Sequence, residues 1–249
     1  LNPIGIGKGL RIKINSNIGS SPYKASVKEE LKKFKSHTLP PNAGGVASAV
    51  RTNMHVAVGF ATEEILQLSE EADLIVMGTT GESGLFDKLF GSVSLAVAKK
   101  AKCPVMLIPN GVKYRGFRNI MYAGNYESAH PTALRKLTDF ASFFQANVHF
   151  VHVMEPDEKV EYFRETESRI FDLLFGFGNP SFAFYMTAVR GDTVPEGLDN
   201  YVIHNNIDLT VMVSPKRSFW ESVFHKSITK AMALNTSVPI LIYHTDEVK

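Results

Sequence analysis

The sequence predicts an α/β protein made of two copies of one parallel-sheet unit, and three observations predict it. Sliding the chain by 135 positions lays DLIVMGTTGESGLFDKLFGSVSLAVAKKAKCPVMLI (73–108) on DLTVMVSPKRSFWESVFHKSITKAMALNTSVPILIY (208–243) without a gap. Asp73 then meets Asp208, Leu74 meets Leu209, Val76 meets Val211, Ser92 meets Ser227 and Pro104 meets Pro239. Self-similarity at a fixed spacing is the mark of a repeated structural unit. Within each copy, short β-branched runs alternate with helical stretches, as in a parallel sheet wrapped by helices. The strand-like runs are also continuously apolar, which suits strands covered on both faces.

In the second copy five strands follow in order: NIMYAG (119–124), NVHFVHV (147–153), FAFYMTAV (182–189), IDLTVMV (207–213) and VPILIY (238–243). Between them, PTALRKLTDFASFFQ, DEKVEYFRETESRIFDLLF, a stretch around VPEGLDNYVIHNN, and SITKAMAL show helical spacing or helix-start signals. In the first copy the same scheme reads back from residue 109 as strands CPVMLIP (103–109), DLIVMG (73–78) and NMHVAV (53–58). Helices are expected at ATEEILQLSEE (61–71) and SVKEELKKFKS (26–36). LRIKIN (10–15) is either the second strand of this copy or a displaced first strand, and there is no room for both with their helix. The first copy, 1–112, is therefore short of one strand–helix unit beside the second, 113–249.

The stretch GTTGESGLFDKLFGSVS (78–94) places Gly78, Gly81 and Gly91 after one strand, with Ser92 and Ser94 opening the next helix. Glycines permit positive φ and let the backbone approach a bulky anion, while the free N–H groups and dipole of a helix start favour phosphate. A plain strand-to-helix loop with turn-forming glycines is the competing reading. The pattern is neither G-x-G-x-x-G nor G-x-x-x-x-G-K-[ST], so it is not the usual dinucleotide fingerprint or P-loop.

The spacing Gly78-x2-Gly81-x9-Gly91-Ser92, preceded by DLIVM and followed by a helix and CPVMLIP, closely resembles the nucleotide-binding signature of universal stress proteins. With the repeat, the chain resembles a tandem, UspA-like member of that family. The resemblance implies two tandem open parallel five-stranded α/β units of the adenine nucleotide alpha hydrolase-like type, the first lacking its first strand–helix unit. It implies ATP, or AMP or ADP, with Mg2+ as an accompanying ion. Gly78, Gly81, Gly91, Ser92, Val93 and Ser94 would form the binding loop, and Met77 would line it. Members that bind ATP carry an aspartate at the end of the first strand. Copy one shows no such strand, and in copy two Asn125 stands at that position. On the ungapped alignment the three loop glycines become Val213, Lys216 and Lys226, so the second copy reads as structural support. The family's terminal strands pair at their edges, which implies an internal pseudo-dimer of the copies and allows a further homodimer.

Other chemistry reads weakly. His149 and His152 lie three apart on a strand, so they face opposite sides and are expected in the core or at an edge rather than on a metal. Cys103 precedes a proline at a strand start and reads as a small buried hydrophobe. No G-x-S-x-G elbow or H-E-x-x-H motif occurs. Glu63, Glu64, Glu70 and Glu71 read as a solvated helix face. KRSFWESVFHK mixes basic and aromatic residues, yet its aromatics fall at helical spacing. The formal charge is only +2, although residues 1–37 carry a net +6. A nucleic-acid partner is not expected.

The longest apolar runs fall far short of the roughly 20 residues a membrane helix needs, no secretory leader is visible, and the single cysteine rules out an intramolecular disulfide. These point to a cytoplasmic protein without a membrane partner. No residue is poised as a general base or nucleophile, so the expectation is a regulatory nucleotide-binding protein with no catalytic residues, no protein-held metal and at most slow ATP hydrolysis. The alternative is a stress-associated interaction module that binds no nucleotide.

Overall fold

The computed structural model describes residues 10–13, 21–38, 52–57, 59–79, 91–123, 131–154, 160–176, 178–214 and 237–244. The chain divides into two compact units, Leu1–Leu68 and Ser69–Lys249.

In the first unit, β1 (Leu10–Lys13) and β2 (Thr52–His55) form a two-stranded parallel ladder, with Leu10 opposite Thr52. Between them in the chain lies α1 (Ser21–Thr38), whose Leu31 is fully buried. LRIKIN is thus the strand that pairs with NMHVAV across one helix. That is the place of a second strand, since the following strands of the second copy connect in the same way. Helix α2 (Ala61–Ser69) leads out of this unit, with Glu63 exposed on its outer side.

The second unit is built on a seven-stranded sheet. Its strands are β3 (Ile75–Gly78), β4 (Val105–Ile108), β5 (Asn119–Ala123), β6 (Asn147–Met154), β7 (Phe184–Arg190), β8 (Leu209–Ser214) and β9 (Ile240–His244). They stand in the order β3-β4-β9-β8-β5-β6-β7. Every neighbouring pair is parallel except β4 with β9, which run antiparallel with Met106 opposite Leu241. The five strands expected of the second copy therefore form one parallel sheet, doubly wound about β5. The antiparallel seam joins its terminal strand to CPVMLIP, as the pairing of terminal edges led us to expect.

The helices follow from amphipathic spacing and local caps. On α4 (Pro131–Phe144), Ala133, Leu134, Leu137 and Ala141 are buried on one stripe. They share a single apolar cluster with Ile120, Tyr122, Val148, Phe150, Leu209, Val211, Val213 and Leu241 of the sheet and with Ile170 and Leu174 of α5 (Val160–Gly176). On α6 (Val194–His204), Thr193 is the N-cap, its hydroxyl accepting from the Glu196 N–H at 3.4 Å, and Pro195 sits in the first turn where no N–H is needed. Helices α4 and α6 end alike. Gln145 at φ 52° and Asn206 at φ 50° take the left-handed conformation, and the N–H groups of Ala146 and Ile207 reach back to the carbonyls of Ala141 and Val202. Each reversal drops the chain directly into the next buried strand.

Helix α3 (Ser92–Lys100) precedes β4 and buries Ser94, Val97 and Ala98. Cys103 is buried, as expected of a small apolar residue. The stretch SITKAMAL lies outside the described residues. No described helix is long and apolar enough to cross a membrane.

Candidate functional site

β3 delivers the chain to the carboxyl end of the sheet, where open α/β folds place their ligands. Ile75 donates to the Pro104 carbonyl at 2.9 Å and Thr79 to the Ile108 carbonyl at 3.1 Å, so β3 is laced to β4 from one end to the other. Gly78, opposite Ile108, is the last strand residue and is exposed. Met77 beside it is half-buried.

The chain returns at Gly91, and one buried carbonyl holds both ends of the intervening loop. Thr79 is 3% exposed; its carbonyl accepts the Gly91 N–H at 2.6 Å and faces the Ser94 hydroxyl at 2.8 Å. The same hydroxyl lies 2.9 Å from the Gly91 carbonyl. Having one proton, it shares it between two acceptors. The Gly91 carbonyl also takes the first helical bond, from Leu95 at 3.0 Å.

Gly91 is the N-cap of α3, at φ −68° and ψ 154°. That conformation is open to every residue, so positive φ is not the reason for this glycine. Gly91 has no side chain to cap α3, and among the described residues the first N–H groups lack the partner that a Ser, Thr, Asp or Asn N-cap would give. Ser92 is exposed at this start, Val93 is half-buried behind it, and Ser94 is turned inward. Ser92 therefore presents a hydroxyl to solvent, while Ser94 serves the loop's own closure. Gly81 lies outside the described residues, as do Asn125, Lys216 and Lys226. Of the loop's counterparts in the second copy, Val213 is buried.

Thr79 was not singled out by sequence. A small polar residue directly after the strand's terminal glycine is the only signal that could have found it. At the other end of α3 the Ala98 carbonyl accepts from His244 Nε2 at 2.7 Å, tying the helix to β9.

His149 and His152 are both buried in β6. His149 Nδ1 is 3.0 Å from the Tyr201 hydroxyl, its ring lies 4.8 Å from that of Tyr185, and its Nε2 is buried without a partner. Burial lowers its pKa from the ordinary imidazole value. Burial likewise pushes the Tyr122 phenol well above the usual tyrosine range. Among the described residues, no three His, Cys, Asp or Glu side chains gather as metal ligands would.

A parallel sheet wound in both directions from one strand, with a glycine-flanked loop running into an uncapped helix at its carboxyl end, defines the class of open α/β ligand-binding folds. Residues 19–109 match the model of the universal stress protein family. A 61-residue stretch is 44% identical to a universal stress protein of Methanocaldococcus jannaschii, covering 24% of this chain and 36% of that protein. A 93-residue stretch is 31% identical to a universal stress protein of Thermus aquaticus, covering 36% of this chain and 66% of that one. The crystal structure of a universal stress protein from Archaeoglobus fulgidus superposes over 94% of this chain and 85% of its own, with a TM-score of 0.68 at 20% identity. Residues 19–109 thus form a region of the universal stress protein family, and the fold of the chain is that of a universal stress protein structure. It spans about a third of the length of the first of these relatives.

Proposed function

We propose that this protein binds ATP, or the related ADP or AMP, as a regulatory ligand in a cytoplasmic stress response, on the loop that runs from β3 into α3. The observation that carries the reading is the closure at Thr79: a buried carbonyl fixes both ends of the loop and sets a helix start, capped by no described side chain, beside an exposed strand-end glycine. The donors there fit phosphate. The N–H groups of Ser92 and Val93 and the Ser92 hydroxyl would hold it, Gly78 and Gly91 would let it approach, and Gly81 belongs to the same loop by sequence. Ser94 positions the loop and Met77 lines it. Mg2+ would accompany the phosphates rather than sit on protein ligands.

The adenosine end is less well provided, because the described residues of the first copy hold no strand-end aspartate. No acid, base or nucleophile stands at the loop among the described residues, so binding with at most slow hydrolysis is the chemistry the site supports. We divide the chain by its repeat into 1–112 and 113–249, with the second copy as scaffold and pseudo-partner through β4 and β9. A further homodimer is part of this reading; a nucleic acid or a membrane is not.

Calorimetric titration of the nucleotide-stripped protein with ATP and with AMP, in magnesium, tests this. One saturable site per chain, abolished in Gly91→Lys, is the expected result. Affinity unchanged in that variant would remove the loop as the site. The second reading, an interaction module that binds no nucleotide, is favoured by the uncovered face of β3, where Leu74 and Val76 are exposed. Absence of heat at high micromolar nucleotide would favour it.

A further inference from the structure

Helix α5 and strand β7 form a groove that the nucleotide loop does not use. On α5, Ile170 and Leu174 are buried in the central cluster. Phe171 and Phe175, each one position further round the helix, turn away from that cluster and remain 45% and 38% exposed. Four residues apart on a helix, they share a face, and their rings lie 4.3 Å from each other. From β7, Phe184 approaches both rings, at 6.1 and 6.2 Å. Met186, two residues on, stands on the same side of the strand as Phe184. In the order of the described sheet, β7 is at the opposite end from β3.

The groove holds about 400 Å3 and is lined by Glu167, Ser168, Phe171, Asp172, Phe184 and Met186, all of the second unit. That volume falls within the range of small-molecule sites. Its floor is apolar, and its polar lining has one sign. Glu167 stands one helical turn before Phe171 and Ser168 one turn before Asp172, so two adjacent rows of α5 carry the carboxylates to the groove. Glu167 is half-buried, and among the described residues neither carboxylate has an ion-pair partner. Arg164 and Arg169 of the same helix are exposed and do not line the groove. Unpaired carboxylates beside aromatic rings complement a positive charge, because a ring face attracts cations as well.

We propose that this groove is a binding site for a small organic cation with an apolar body, an alkyl- or arylammonium. The ammonium group donates to the Glu167 and Asp172 carboxylates and to the Ser168 hydroxyl, all of which can accept. The apolar body covers Phe171, Phe184 and Met186 and takes their exposed surface out of water. Burial of that surface supplies much of the affinity, and the charge supplies the selection. A neutral analogue gives up charge-assisted hydrogen bonds, and an anion is repelled by two carboxylates. The site shares no element with the loop between β3 and α3 and does not rest on nucleotide binding.

The test titrates the full chain, labelled at its methionine methyl groups, with phenethylammonium and with phenethyl alcohol, which has the same carbon skeleton and no charge. The Met186 methyl resonance, assigned with Met186→Leu, should shift saturably with phenethylammonium, and the alcohol should bind about ten-fold more weakly. Glu167→Gln combined with Asp172→Asn keeps the shape of the groove and removes its charge. That double variant should weaken the ammonium about ten-fold while leaving the alcohol's affinity and the circular dichroism spectrum unchanged. Phe171→Leu keeps the apolar cover without the ring, and should weaken the ammonium more than the alcohol. No shift of Met186 at millimolar phenethylammonium, equal affinity for the ammonium and the alcohol, or unchanged ammonium affinity in the double variant would overturn the proposal.

Discussion

Val76→Ala and Val211→Ala make one chemical change at two positions that the repeat equates, and the structure predicts unequal costs. Val211 is fully buried in the cluster with Tyr122 and Leu134, whereas Val76 is 54% exposed. Each substitution deletes two carbons, worth about 0.8 kcal/mol apiece when wholly buried, so the transfer cost at Val211 is about 1.6 kcal/mol. The cavity left in a close-packed cluster adds about 1 kcal/mol at roughly 24 cal/mol per Å3, giving about 2–3 kcal/mol in total. At Val76 about half of that surface is already in water, which halves the transfer cost to about 0.8 kcal/mol, and no cavity forms in an open site. Replacing a β-branched residue within a strand adds up to about 1 kcal/mol to each variant. Urea unfolding followed by far-UV circular dichroism should therefore find Val211→Ala less stable than Val76→Ala by about 1–2 kcal/mol. Equal costs would refute the open face of β3.

Three further outcomes follow from single contacts. Ser94→Ala removes the buried hydroxyl that faces the Thr79 and Gly91 carbonyls, and should cost about 1–2 kcal/mol in thermal unfolding while weakening nucleotide binding through a looser loop. Gly197→Ala would set a Cβ 2.9 Å from one methyl of Val153 and 3.1 Å from the other; despite a helix-propensity gain of about 1 kcal/mol, it should lower the melting temperature. Folding depresses the pKa of His149, so the unfolded chain binds more protons as pH falls through the ordinary imidazole range near 6.5. Stability should thus decline on acidification below that point, by at most about 1.4 kcal/mol per pH unit from this group, and His149→Gln should lack that component in urea titrations at pH 7.5 and 5.5.

Much of the sheet was legible because its strands are continuous apolar runs that leave little room for another reading. NVHFVHV and VPILIY each became a buried strand, and the family resemblance implied that the terminal strands should meet. Boundaries moved where caps decided them: Gln145 and Asn206 end their helices by a left-handed residue, which periodicity does not reveal. At the loop, the structure adds what spacing does not carry. Gly91 does not take positive φ, and Ser94 faces inward, because helix position and burial, rather than residue type, decide what a hydroxyl can reach. Thr79 acts through its carbonyl, a group every residue has, so only its place directly after the strand's terminal glycine could have singled it out.

The order of the described strands follows from the place of β5 in the second half. In the second half, β5 stands between β8 and β6, and the order β9-β8-β5-β6-β7 is continuous because of it. Delete that strand and two pairs remain, one of β9 with β8 and one of β6 with β7. The first half shows the corresponding pairs: β4 with β3 in the large sheet, and β1 with β2 in a ladder of their own. β4 is secured on both sides, by β3 and by the antiparallel seam with β9, and Val105 and Leu107 are buried. β3 is secured on one side only. The loop that carries the nucleotide-binding pattern therefore hangs from a short edge strand of the described sheet, and local opening is cheapest where backbone hydrogen bonds and buried contacts are fewest. The contacts of Thr79 with Ile108, Gly91 and Ser94 fall at this point, and they hold the loop's two ends together where the sheet itself supplies no neighbour.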